Sequence, residues 1–495
     1  MIVHDIRPLL APTISILCAI LIFWRGENTY LRRIFSISAA ILKWVIVLSM
    51  LPGSLKGVIY VTELIPFTPG ISFLLRVDAL GMFFGMVSST LWIITTVYAI
   101  GYMEGEHARK RFFAFFALCV STTVGLAFAG NLFTLFVFYE MLTVSTYPLV
   151  IHEETPEAMK AGRKYLVYTL TGGSLILFAT ALVFYQANTV AFDQPGILSI
   201  NSGVGILVVI FAMFMLGFGV KAAIMPLHGW LPSAMVAPTP VSALLHAVAV
   251  VKAGVFGITR VVYNIFGVSL LKEMASKGAD VASVLMWAAM ITIVLGSLMA
   301  LMQDGFKKRL AYSTISQLSY IVLGVSLLTP DSVMGGIVHI VNQAFMKITM
   351  FFVAGAIYKK THKKNISEMH GIGHKMPITM ATFTIASFGM MGLPPTAGFI
   401  SKWYLSLGAL AADKPIAVIV LLLSSFLNAI YFLPIVYRAY FMKPLDGDTT
   451  MDEAHWTFLV PCIICALYTI GLGLFAELPF VPLELSRIAV TQFFR

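Results

Sequence analysis

The sequence predicts an all-α polytopic membrane protein, and three observations lead to that prediction. Of the 495 residues, 59% are hydrophobic and only 11% are charged, whereas soluble domains carry about 25% charged residues. The mean hydropathy is +0.90. Apolar stretches of the length needed to cross a bilayer, about 20 residues, recur along the whole chain. A chain of this composition has too little polar surface to fold in water, so we expect the bilayer to be its solvent throughout.

Fourteen stretches of this kind can be counted, and we interpret each as one membrane-spanning helix. The first is followed by no small-residue cleavage site, which favours a retained helix over a signal peptide. We expect the seventh to end at Pro226 and the over-long twelfth to be broken at Pro394 and Pro395, because proline disrupts a helix. The fourteen predicted spans are residues 8–24, 34–51, 79–103, 112–129, 131–151, 164–186, 204–227, 240–262, 281–303, 308–328, 333–358, 377–411, 415–437 and 456–477.

The distribution of basic residues between the loops supports this count. If the spans cross alternately, one set of loops holds 19 lysines and arginines and the other set, termini included, holds 8. The positive-inside rule then places the basic loops in the cytoplasm and both termini outside the plasma membrane. The net charge of +10 lies in short loops and forms no basic domain, which argues against nucleic-acid binding. The basic loops hold Arg25, Arg32, Arg33, Arg109, Lys110, Arg111, Lys160, Arg163, Lys164, Lys307, Lys308, Arg309, Lys359, Lys360, Lys363, Lys364, Lys375, Arg438 and Lys443.

Two interrupted helices in corresponding positions predict an inverted repeat. Spans four to eight and nine to thirteen form two sets of five, and an odd number of crossings reverses the orientation of the second set. The interrupted seventh and twelfth spans are then the fourth members of their sets, and each carries one lysine, Lys221 or Lys402. We therefore expect three N-terminal helices in 1–111, five-helix repeats in 112–262 and 281–442, and a last helix in 443–495.

Charged residues inside the spans are the strongest functional signal. A charge at the bilayer centre costs about 2.5–3.5 kcal/mol on insertion scales, so such residues face one another or water and mark ion pathways. We interpret Lys43 as structural, by snorkelling or ion pairing. We interpret five others as a path for protons or other cations. These five are Glu140, Lys221, Lys252, Lys347 and Lys402.

Three titratable or polar residues of the eleventh span share one stripe. His339, Gln343 and Lys347 stand four residues apart, and this spacing drifts by only about 40° per step around a helix. We interpret the stripe as a proton relay, with His246 and Gln343 as additional relay groups. The alternative for either histidine is a hydrogen-bonded role without proton transfer. His246 and Lys252 are six residues apart, so they point about 120° from each other and we expect no contact between them.

The pairing of Glu140 with Lys221 is expected to control proton transfer. A nearby carboxylate favours the charged form of a lysine. Movement of Glu140 relative to Lys221 could therefore switch the lysine between loading and releasing a proton, if the two lie at similar depth. The predicted helix breaks lie close to Lys221 and Lys402 and free backbone carbonyls, which is tolerable at this depth only where water or protein satisfies them.

At these residues the chain resembles a known family, the antiporter-like subunits of respiratory complex I, of multisubunit Mrp-type cation/proton antiporters and of membrane-bound hydrogenases. The resemblance extends over residues 70 to 440, roughly, and five motifs carry it. They are Phe138-Tyr139-Glu140, Lys221 followed by Pro226-Leu227-His228-Gly229-Trp230-Leu231-Pro232, Ala237-Pro238-Thr239-Pro240-Val241-Ser242-Ala243-Leu244-Leu245-His246, Lys308-Arg309-Leu310-Ala311-Tyr312-Ser313-Thr314-Ile315-Ser316-Gln317, and Gly392-Leu393-Pro394-Pro395-Thr396-Ala397-Gly398-Phe399.

The resemblance implies fourteen helices with an inverted repeat, and a coupling pair of Glu140 and Lys221 from which Lys252, Lys347 and Lys402 continue a proton path. It also implies other membrane subunits as partners, with protons and sodium ions as the transported species. Two departures favour a D-type antiporter subunit or its hydrogenase counterpart. The chain ends soon after the last helix, and Lys402 stands where one complex I member has a glutamate.

Other function classes remain as alternatives at this point. A quinone oxidoreductase acting alone is disfavoured because the sequence has no Rossmann glycine fingerprint, no four-cysteine cluster and no paired haem histidines. We therefore expect no cofactor and no metal in this chain, although its parent complex could be an oxidoreductase. Cys462 and Cys465 form a lone C-x-x-C in an apolar stretch, which favours packing over metal binding. A scaffold bundle is disfavoured by the cost of the buried lysines.

Overall fold

The computed structural model describes residues 1–68, 70–444, 450–478 and 482–494, and its fold is a bundle of α-helices with one small sheet, as predicted for an all-α membrane protein. Arg495, one of the eight lysines and arginines in the less basic set of loops and termini, lies outside the described residues. The helices are α1 Arg7–Arg25, α2 Thr29–Leu55, α3 Ala79–Tyr102, α4 Arg109–Ala127, α5 Leu132–Val150, α6 Pro156–Ala187, α7 Val204–Ala222, α8 Trp230–Ser233, α9 Thr239–Ala247, α10 Val250–Arg260, α11 Val268–Ser276, α12 Val281–Leu301, α13 Phe306–Ser326, α14 Pro330–Thr361, α15 Ile372–Lys375, α16 Pro377–Met391, α17 Ala397–Ala411, α18 Pro415–Phe441, α19 Trp456–Leu474 and α20 Pro482–Phe493.

Each predicted span coincides with a helix or a pair of helices. Within the described part of the chain, twelve helical stretches are long and apolar enough to cross a membrane. They are α1 to α7, the stretch Thr239–Phe266, α12, α14, α18 and α19. The other two predicted spans fall on α13, which is less apolar, and on α16 with α17, which have 15 residues each. The multi-pass architecture is therefore confirmed, while the count of fourteen crossings stays a prediction.

A three-stranded sheet joins α2 to α3, and the sequence analysis did not predict it. Strand β2, Ile59–Thr68, pairs in parallel with β1, Ile2–His4, and antiparallel with β3, Ile71–Val77. Both long strands are rich in Ile, Val, Thr, Phe and Tyr, which favour extended backbone. The sequence analysis looked for apolar stretches long enough to cross a bilayer as a helix. The strands of this sheet are shorter than that, so they were not recognised.

The seventh span ends earlier than predicted. Helix α7 stops at Ala222 rather than at Pro226, because Ala223 turns into the left-handed region with φ of 55°. The indole Nε1 of Trp230 donates to the Val220 carbonyl at 2.7 Å, which satisfies one of the carbonyls at this helix end. The chain then continues as the four-residue helix α8.

The twelfth span is broken at the predicted place, between Met391 of α16 and Ala397 of α17. A further break in the eighth span was not predicted. Val248 and Ala249 leave helical geometry between α9 and α10. Val248 has φ of −126° and ψ of −54°. No proline marks that break, so the residue pattern gave no sign of it.

Side-chain contacts sort the helix ends onto two faces. On one, Lys359 pairs with Glu106, Arg33 with Glu104 and Lys110 with Glu27. We call this the basic face, since the loops predicted to be basic meet on it. On the other, the opposite face, β1 pairs with β2, and Phe493 stacks on Tyr263 with ring centroids 4.7 Å apart. Elements near both ends of the described chain therefore lie on the opposite face.

Two helical stretches form the centre of the bundle. The stretch Thr239–Phe266, which contains α9 and α10, and the long helix α14 are buried over their whole apolar windows. The outer helices α1, α2, α6, α18 and α19 are buried over only 39% of theirs, as expected for lipid-facing helices. Five of the eight predicted path residues lie on the two central stretches: His246, Lys252, His339, Gln343 and Lys347.

Candidate functional site

Lys221 and Glu140 lie on adjacent helices but are not joined by an ion pair. Lys221 is in the last turn of α7, is fully buried, and donates from Nζ to the Tyr139 carbonyl of α5 at 2.6 Å. The same ammonium lies 3.4 Å from the centre of the Tyr139 ring. Glu140 is the next residue of α5 and acts on Lys221 through space. The expected pair is therefore brought together, with the Tyr139 carbonyl as the direct partner of the lysine.

The carboxylate of Glu140 is held against a glycine of α6. Its Oε1 atom is buried and has no hydrogen-bond partner among the described protein atoms. A Cβ atom placed on Gly173 would lie 1.7 Å from that oxygen, so the absence of a side chain at Gly173 makes room for the carboxylate. Glu140 is therefore a partly buried acid whose Oε1 atom has unused hydrogen-bonding capacity, and it is suited to change its position relative to Lys221.

Lys252 links the two central helices. It lies in the first turn of α10, next to the break after α9, and its Nζ donates to the Gln343 side-chain oxygen of α14. Helix α10 packs closely on α7, the helix that carries Lys221. At Gly254 the two backbones are so near each other that an added Cβ atom would lie 2.2 Å from the Ala222 nitrogen. Gln343 was predicted as a relay residue, and it is the hydrogen-bond partner of Lys252.

His246 is a buried histidine that bonds to none of the surrounding side chains. It is fully buried, and neither ring nitrogen has a hydrogen-bond partner in the described protein. Its ring lies 4.7 Å from that of Phe351 on α14. Lys252, Lys307 and Lys347 are the charged groups that act on it electrostatically. As expected, His246 and Lys252 do not hydrogen bond, and the helix break separates them.

A chain of hydrogen bonds joins Lys347 to Lys402. From α14, Lys347 Nζ donates to Ser313 Oγ at 2.6 Å, and this hydroxyl lies 3.0 Å from the Tyr431 hydroxyl of α18. The Tyr431 hydroxyl donates to the Asn428 side-chain oxygen. The Asn428 amide donates to the Met390 carbonyl at 3.2 Å, and Lys402 Nζ donates to that carbonyl at 2.9 Å. We call these groups the Lys347–Lys402 network; its members are Lys347, Ser313, Tyr431, Asn428, Met390 and Lys402.

The break between α16 and α17 supplies acceptors for Lys402. Its ammonium donates to the Met390 and Met391 carbonyls at 2.9 and 2.8 Å, and to Ser425 Oγ at 2.8 Å. These carbonyls belong to the last turn of α16, where the helix leaves its carbonyls free and the helix dipole favours a cation. The carbonyls at the proline-containing break are therefore satisfied by protein, in this case by the Lys402 ammonium.

His339 is held at the side of the same network. Its Nδ1 lies 2.8 Å from Ser401 Oγ, and its Nε2 lies 3.1 Å from the Gln317 side-chain oxygen. The ring stacks on Tyr320 at 5.3 Å, and the Lys402 ammonium lies 5.6 Å from the centre of that tyrosine ring. His339 therefore belongs to the surroundings of Lys402 and has no direct bond to Gln343 or Lys347 of its own helix stripe.

All four lysines bond to neutral acceptors. In the described part of the chain, the hydrogen-bond partners of Lys221, Lys252, Lys347 and Lys402 are carbonyls, hydroxyls and one amide oxygen. An ion pair would leave an uncompensated buried carboxylate when its lysine lost a proton. Neutral acceptors leave none, so Lys252, Lys347 and Lys402 can gain or lose a proton without that penalty, whereas the charge of Lys221 also depends on the nearby Glu140.

Lys43 stands apart from these residues. It is fully buried in α2, and its Nζ has no hydrogen-bond partner among the described residues. The ammonium lies over the Trp92 ring of α3 at 4.2 Å from the centroid. A cation–π contact of this kind is stabilising when it is desolvated. The geometry therefore agrees with a structural interpretation, although it is neither the snorkelling nor the ion pair that we expected.

Comparison with known proteins places the chain in a family. A family model described as NADH:quinone oxidoreductase/Mrp antiporter, TM, matches residues 129–428. A second, described as NADH-ubiquinone oxidoreductase (complex I), chain 5 N-terminus, matches residues 67–113. The chain belongs to this NADH:quinone oxidoreductase/Mrp antiporter family.

Relatives within the family are subunits of several kinds of complex. NADH-quinone oxidoreductase subunit N of Desulforudis audaxviator is 33% identical over 399 residues, which are 77% of this chain and 78% of the relative. The D-type subunit of the Na(+)/H(+) antiporter of Bacillus subtilis is 25% identical over 485 residues, 95% of this chain and 94% of the relative. A chain in the structure of the Mrp complex from Dietzia sp. DQ12-45-1b has a similar fold, with a TM-score of 0.87 at 21% identity, covering 99% of this chain and 97% of that one.

Within this NADH:quinone oxidoreductase/Mrp antiporter family member, the structure adds residues that the sequence analysis did not assign to the site. Ser313 and Tyr431 connect Lys347 to Asn428, and Tyr139 supplies the acceptor for Lys221. Ser313 and Tyr139 lie inside motifs that we quoted for the resemblance, which was the available signal. Tyr431 carries no such signal, because a tyrosine in an apolar helix is common and its partner on α13 is distant in sequence.

Proposed function

We propose that this chain is a proton-translocating antiporter-like subunit, the D-type subunit of a multisubunit cation/proton antiporter, with sodium as a candidate counter-ion. The Lys347–Lys402 network is the observation that carries the proposal. It gives two buried lysines a continuous line of neutral groups between them. Hydroxyls can both donate and accept, so Ser313 and Tyr431 suit proton relay. A merely structural bundle has no need for two charged side chains at the ends of such a line.

The proposed path begins at Glu140 and Lys221 and ends at Lys402. The close packing of α7 on α10 brings Lys221 near Lys252, which bonds to Gln343 of α14. Lys347 lies one turn further along α14, and His246, whose ring nitrogens are unbonded and whose ring contacts Phe351 of the same helix, is an additional relay group. The Lys347–Lys402 network continues from there, and His339 orients the surroundings of Lys402.

Proton movement along this path would be controlled by charge. When Glu140 lies close to Lys221, its negative charge favours a protonated lysine. When the carboxylate moves away, the ammonium is left with the Tyr139 carbonyl alone and can pass its proton towards Lys252. Each later lysine that receives a proton repels the charge on its neighbour, so transfer in one half favours release in the other. Water molecules are expected to bridge the gaps that protein groups leave.

The D-type assignment rests on the match over nearly the whole length of a D-type antiporter subunit, 95% of this chain. The relative from NADH-quinone oxidoreductase is more identical, at 33%, so the equivalent ion-pumping subunit of a complex I-like enzyme or of a membrane-bound hydrogenase is the second candidate. In both cases the partners are other membrane subunits of the same complex. Iron–sulfur and optical spectra of the purified complex distinguish the two, because a pure antiporter shows no redox centre.

We also propose the finer organisation of the chain. The basic face lies in the cytoplasm, as the positive-inside rule requires, and the opposite face with both termini lies outside. Residues 112–262 and 281–442 form the two inverted repeats. Lys221 and Lys402 support that proposal, since each lies within a few residues of a helix break and bonds to a backbone carbonyl.

Replacement of Lys402 tests the function. In Lys402→Gln the side-chain amide can still donate to the Met390 and Met391 carbonyls but carries no transferable ammonium proton. Transport by the complex, measured as sodium extrusion or dissipation of a pH gradient in membrane vesicles, is expected to fall by about tenfold or more. Lys402→Ala is expected to be at least as inactive. Lys414→Ala, at the start of α18 on the opposite face, is the control and should transport normally.

Normal transport by an assembled Lys402→Gln complex would remove Lys402 from the path and with it the proposed function. Loss of assembly in Lys402→Ala alone is expected if the unsatisfied carbonyls of α16 destabilise the break, and the glutamine variant avoids that problem. The amount of complex in the membrane is therefore measured beside transport for each variant.

A further inference from the structure

Four residues of alternating charge lead from the opposite face into the bundle. Asp193, in the loop between α6 and α7, is exposed, and its carboxylate lies 2.6 Å from Arg76 Nη1 of β3. Arg76 acts electrostatically on Asp78, the residue before α3. Asp78 in turn binds Arg260 through two bonds of 2.6 and 2.7 Å. We call Asp193, Arg76, Asp78 and Arg260 the charge ladder.

The inner end of the charge ladder lies on the helix of Lys252. Arg260 is the last residue of α10, eight residues after Lys252, which corresponds to about 12 Å along the helix. Its side chain is 1% exposed, and its guanidinium carbon lies 5.2 Å from the centre of the Phe192 ring and 5.1 Å from that of Phe256. A guanidinium keeps its charge under all ordinary conditions. A permanent positive charge therefore stands between Lys252 and the opposite face.

A second acceptor for the guanidinium is already in place. The helix changes to π geometry over Val261–Phe266, directly after Arg260. In that segment the Asn264 side-chain oxygen lies 3.3 Å from Arg260 Nη1. The Nε atom of Arg260 has no partner among the described residues. π-Helical segments often occur at functional sites. Arg260 can therefore leave Asp78 and still keep a hydrogen-bond partner.

From this geometry we propose that the Asp78–Arg260 pair is a second outlet of the proton path, on the opposite face, which branches from the path at Lys252 before it reaches Lys402; this inference rests on the proposed function. Arg260 is the barrier that keeps protons from crossing while it is paired. Asp78 is the terminal acceptor: when Arg260 turns to Asn264, a proton passes through water from the Lys252 ammonium to the Asp78 carboxylate. This leaves a neutral lysine and a carboxylic acid. The acid then releases the proton to water near Asp193, and Arg260 returns.

A structural role for the same pair makes a different prediction. A buried ion pair that only ties α3 to α10 is weakened equally by loss of either partner, because each loss leaves one uncompensated buried charge. The outlet proposal predicts opposite effects on proton leak. Without Arg260 the barrier is gone and Asp78 is free to accept protons. Without the Asp78 charge the barrier remains and the acceptor is lost.

The test uses membrane vesicles that contain the whole complex, with two readouts for each variant: passive proton leak after a pH jump without coupling cation, and cation-coupled transport. We expect Arg260→Gln to raise the passive proton leak at least about fivefold. Arg260→Lys keeps a positive charge, so its leak should equal that of the unchanged complex. We expect Asp78→Asn to leave the proton leak unchanged and to lose most of the cation-coupled transport. Asparagine still caps α3 through the Gly81 nitrogen, so the helix start is preserved.

Asp280→Asn is the matched control. Asp280 caps α12 in the same way, accepting from the Ser283 nitrogen at 3.0 Å, but is exposed to solvent. It should change neither readout. A leak in Arg260→Gln equal to that of the unchanged complex, or equal leaks in Arg260→Gln and Asp78→Asn, would overturn the proposal.

If Arg260→Gln does not assemble, the double variant Asp78→Asn with Arg260→Gln distinguishes the outlet from a purely structural ion pair. It has no unpaired charge and should assemble without leak but with transport reduced about tenfold; transport at the original rate overturns the outlet. Failure of this inference is separable from failure of the proposed function. If the Asp78 and Arg260 variants leave proton leak and transport unchanged while Lys402→Gln is inactive, only the outlet is refuted. Normal transport by Lys402→Gln refutes the proposed function itself.

Discussion

Lys347 and Lys402, on helices α14 and α17, bond to the two ends of one chain of neutral groups. Ser313 accepts from the first lysine at 2.6 Å, and the Met390 carbonyl accepts from the second at 2.9 Å. Tyr431 and Asn428 of α18 close the distance between them. The two lysines of the second predicted repeat are thus joined by hydrogen-bonded groups, among which the Ser313 and Tyr431 hydroxyls can pass a proton. The Met390 carbonyl accepts from both Asn428 and Lys402, so the last step to Lys402 requires water.

Tyr431→Phe is expected to interrupt this connection. The change removes only the hydroxyl that meets Ser313 and Asn428, and the ring can keep its fully buried position. Transport should fall several-fold or more, while loss of the two hydrogen bonds lowers stability by about 1–3 kcal/mol, too little to prevent assembly of a chain this size. Transport and complex content in membrane vesicles are the two measurements.

Tyr440→Phe is the control for that change. Tyr440 lies on the same helix, is half-buried, and its hydroxyl reaches the Pro377 carbonyl only at 3.4 Å, away from the four lysines. It should behave like the unchanged chain. If Tyr431→Phe transports at the full rate, protons pass between Lys347 and Lys402 by another route, and water would be the remaining carrier.

The sequence predicted the architecture well because membrane helices are recognised by composition. Each predicted span coincides with a helix or helix pair, and the break at Pro394 and Pro395 falls where expected. The sheet between α2 and α3 and the break between α9 and α10 were not predicted. The sheet was missed because its strands are shorter than a membrane span and one of them, β1, is distant in sequence from its partner β2. The helix break was missed because Val248 and Ala249 are ordinary helix residues.

The site was predicted less completely than the fold. Charge within the spans was the signal that selected the five Glu and Lys candidates, because such residues are rare in spanning helices, and their role stays a prediction. The pattern could not give their partners. His339 and Lys347 share a stripe, yet one bonds to Ser401 of α17 and the other to Ser313 of α13. Contacts between helices depend on packing, which helical periodicity within one segment does not determine.

The proposed orientation of the two faces can be tested with single cysteines. All four native cysteines are buried, so they should give little background labelling. Ser367→Cys lies on the basic face, where Ser367 bonds to Asp304, and Asn201→Cys lies in the loop before α7 that contains Asp193, on the opposite face. With a membrane-impermeant maleimide added to intact cells, Asn201→Cys should react and Ser367→Cys should react only after permeabilisation. The reverse result would invert the assignment of both termini.

The relation of Glu140 to Lys221 gives the prediction on which the mechanism depends. Because the Tyr139 carbonyl, and not Glu140, bonds to Lys221, removal of the acid leaves that hydrogen bond intact. Glu140→Gln keeps the side-chain volume against Gly173 and should therefore assemble, but it removes the charge that favours a protonated lysine. Transport should fall by about tenfold or more, and Glu140→Asp should retain part of it, since a shorter side chain still supplies a carboxylate.

Lys221→Ala should be as inactive as Glu140→Gln, and the two changes together should cost little more than either alone, because residues that act as a unit are strongly non-additive. A purely structural pair predicts instead that each single change loses assembled complex and that the double neutral variant recovers it. Glu157→Gln, at the exposed start of α6, is the charge-matched control and should leave both measurements unchanged. An assembled Glu140→Gln complex with normal transport would show that the carboxylate does not set the charge of Lys221, and the path would then have to start at Lys221 alone.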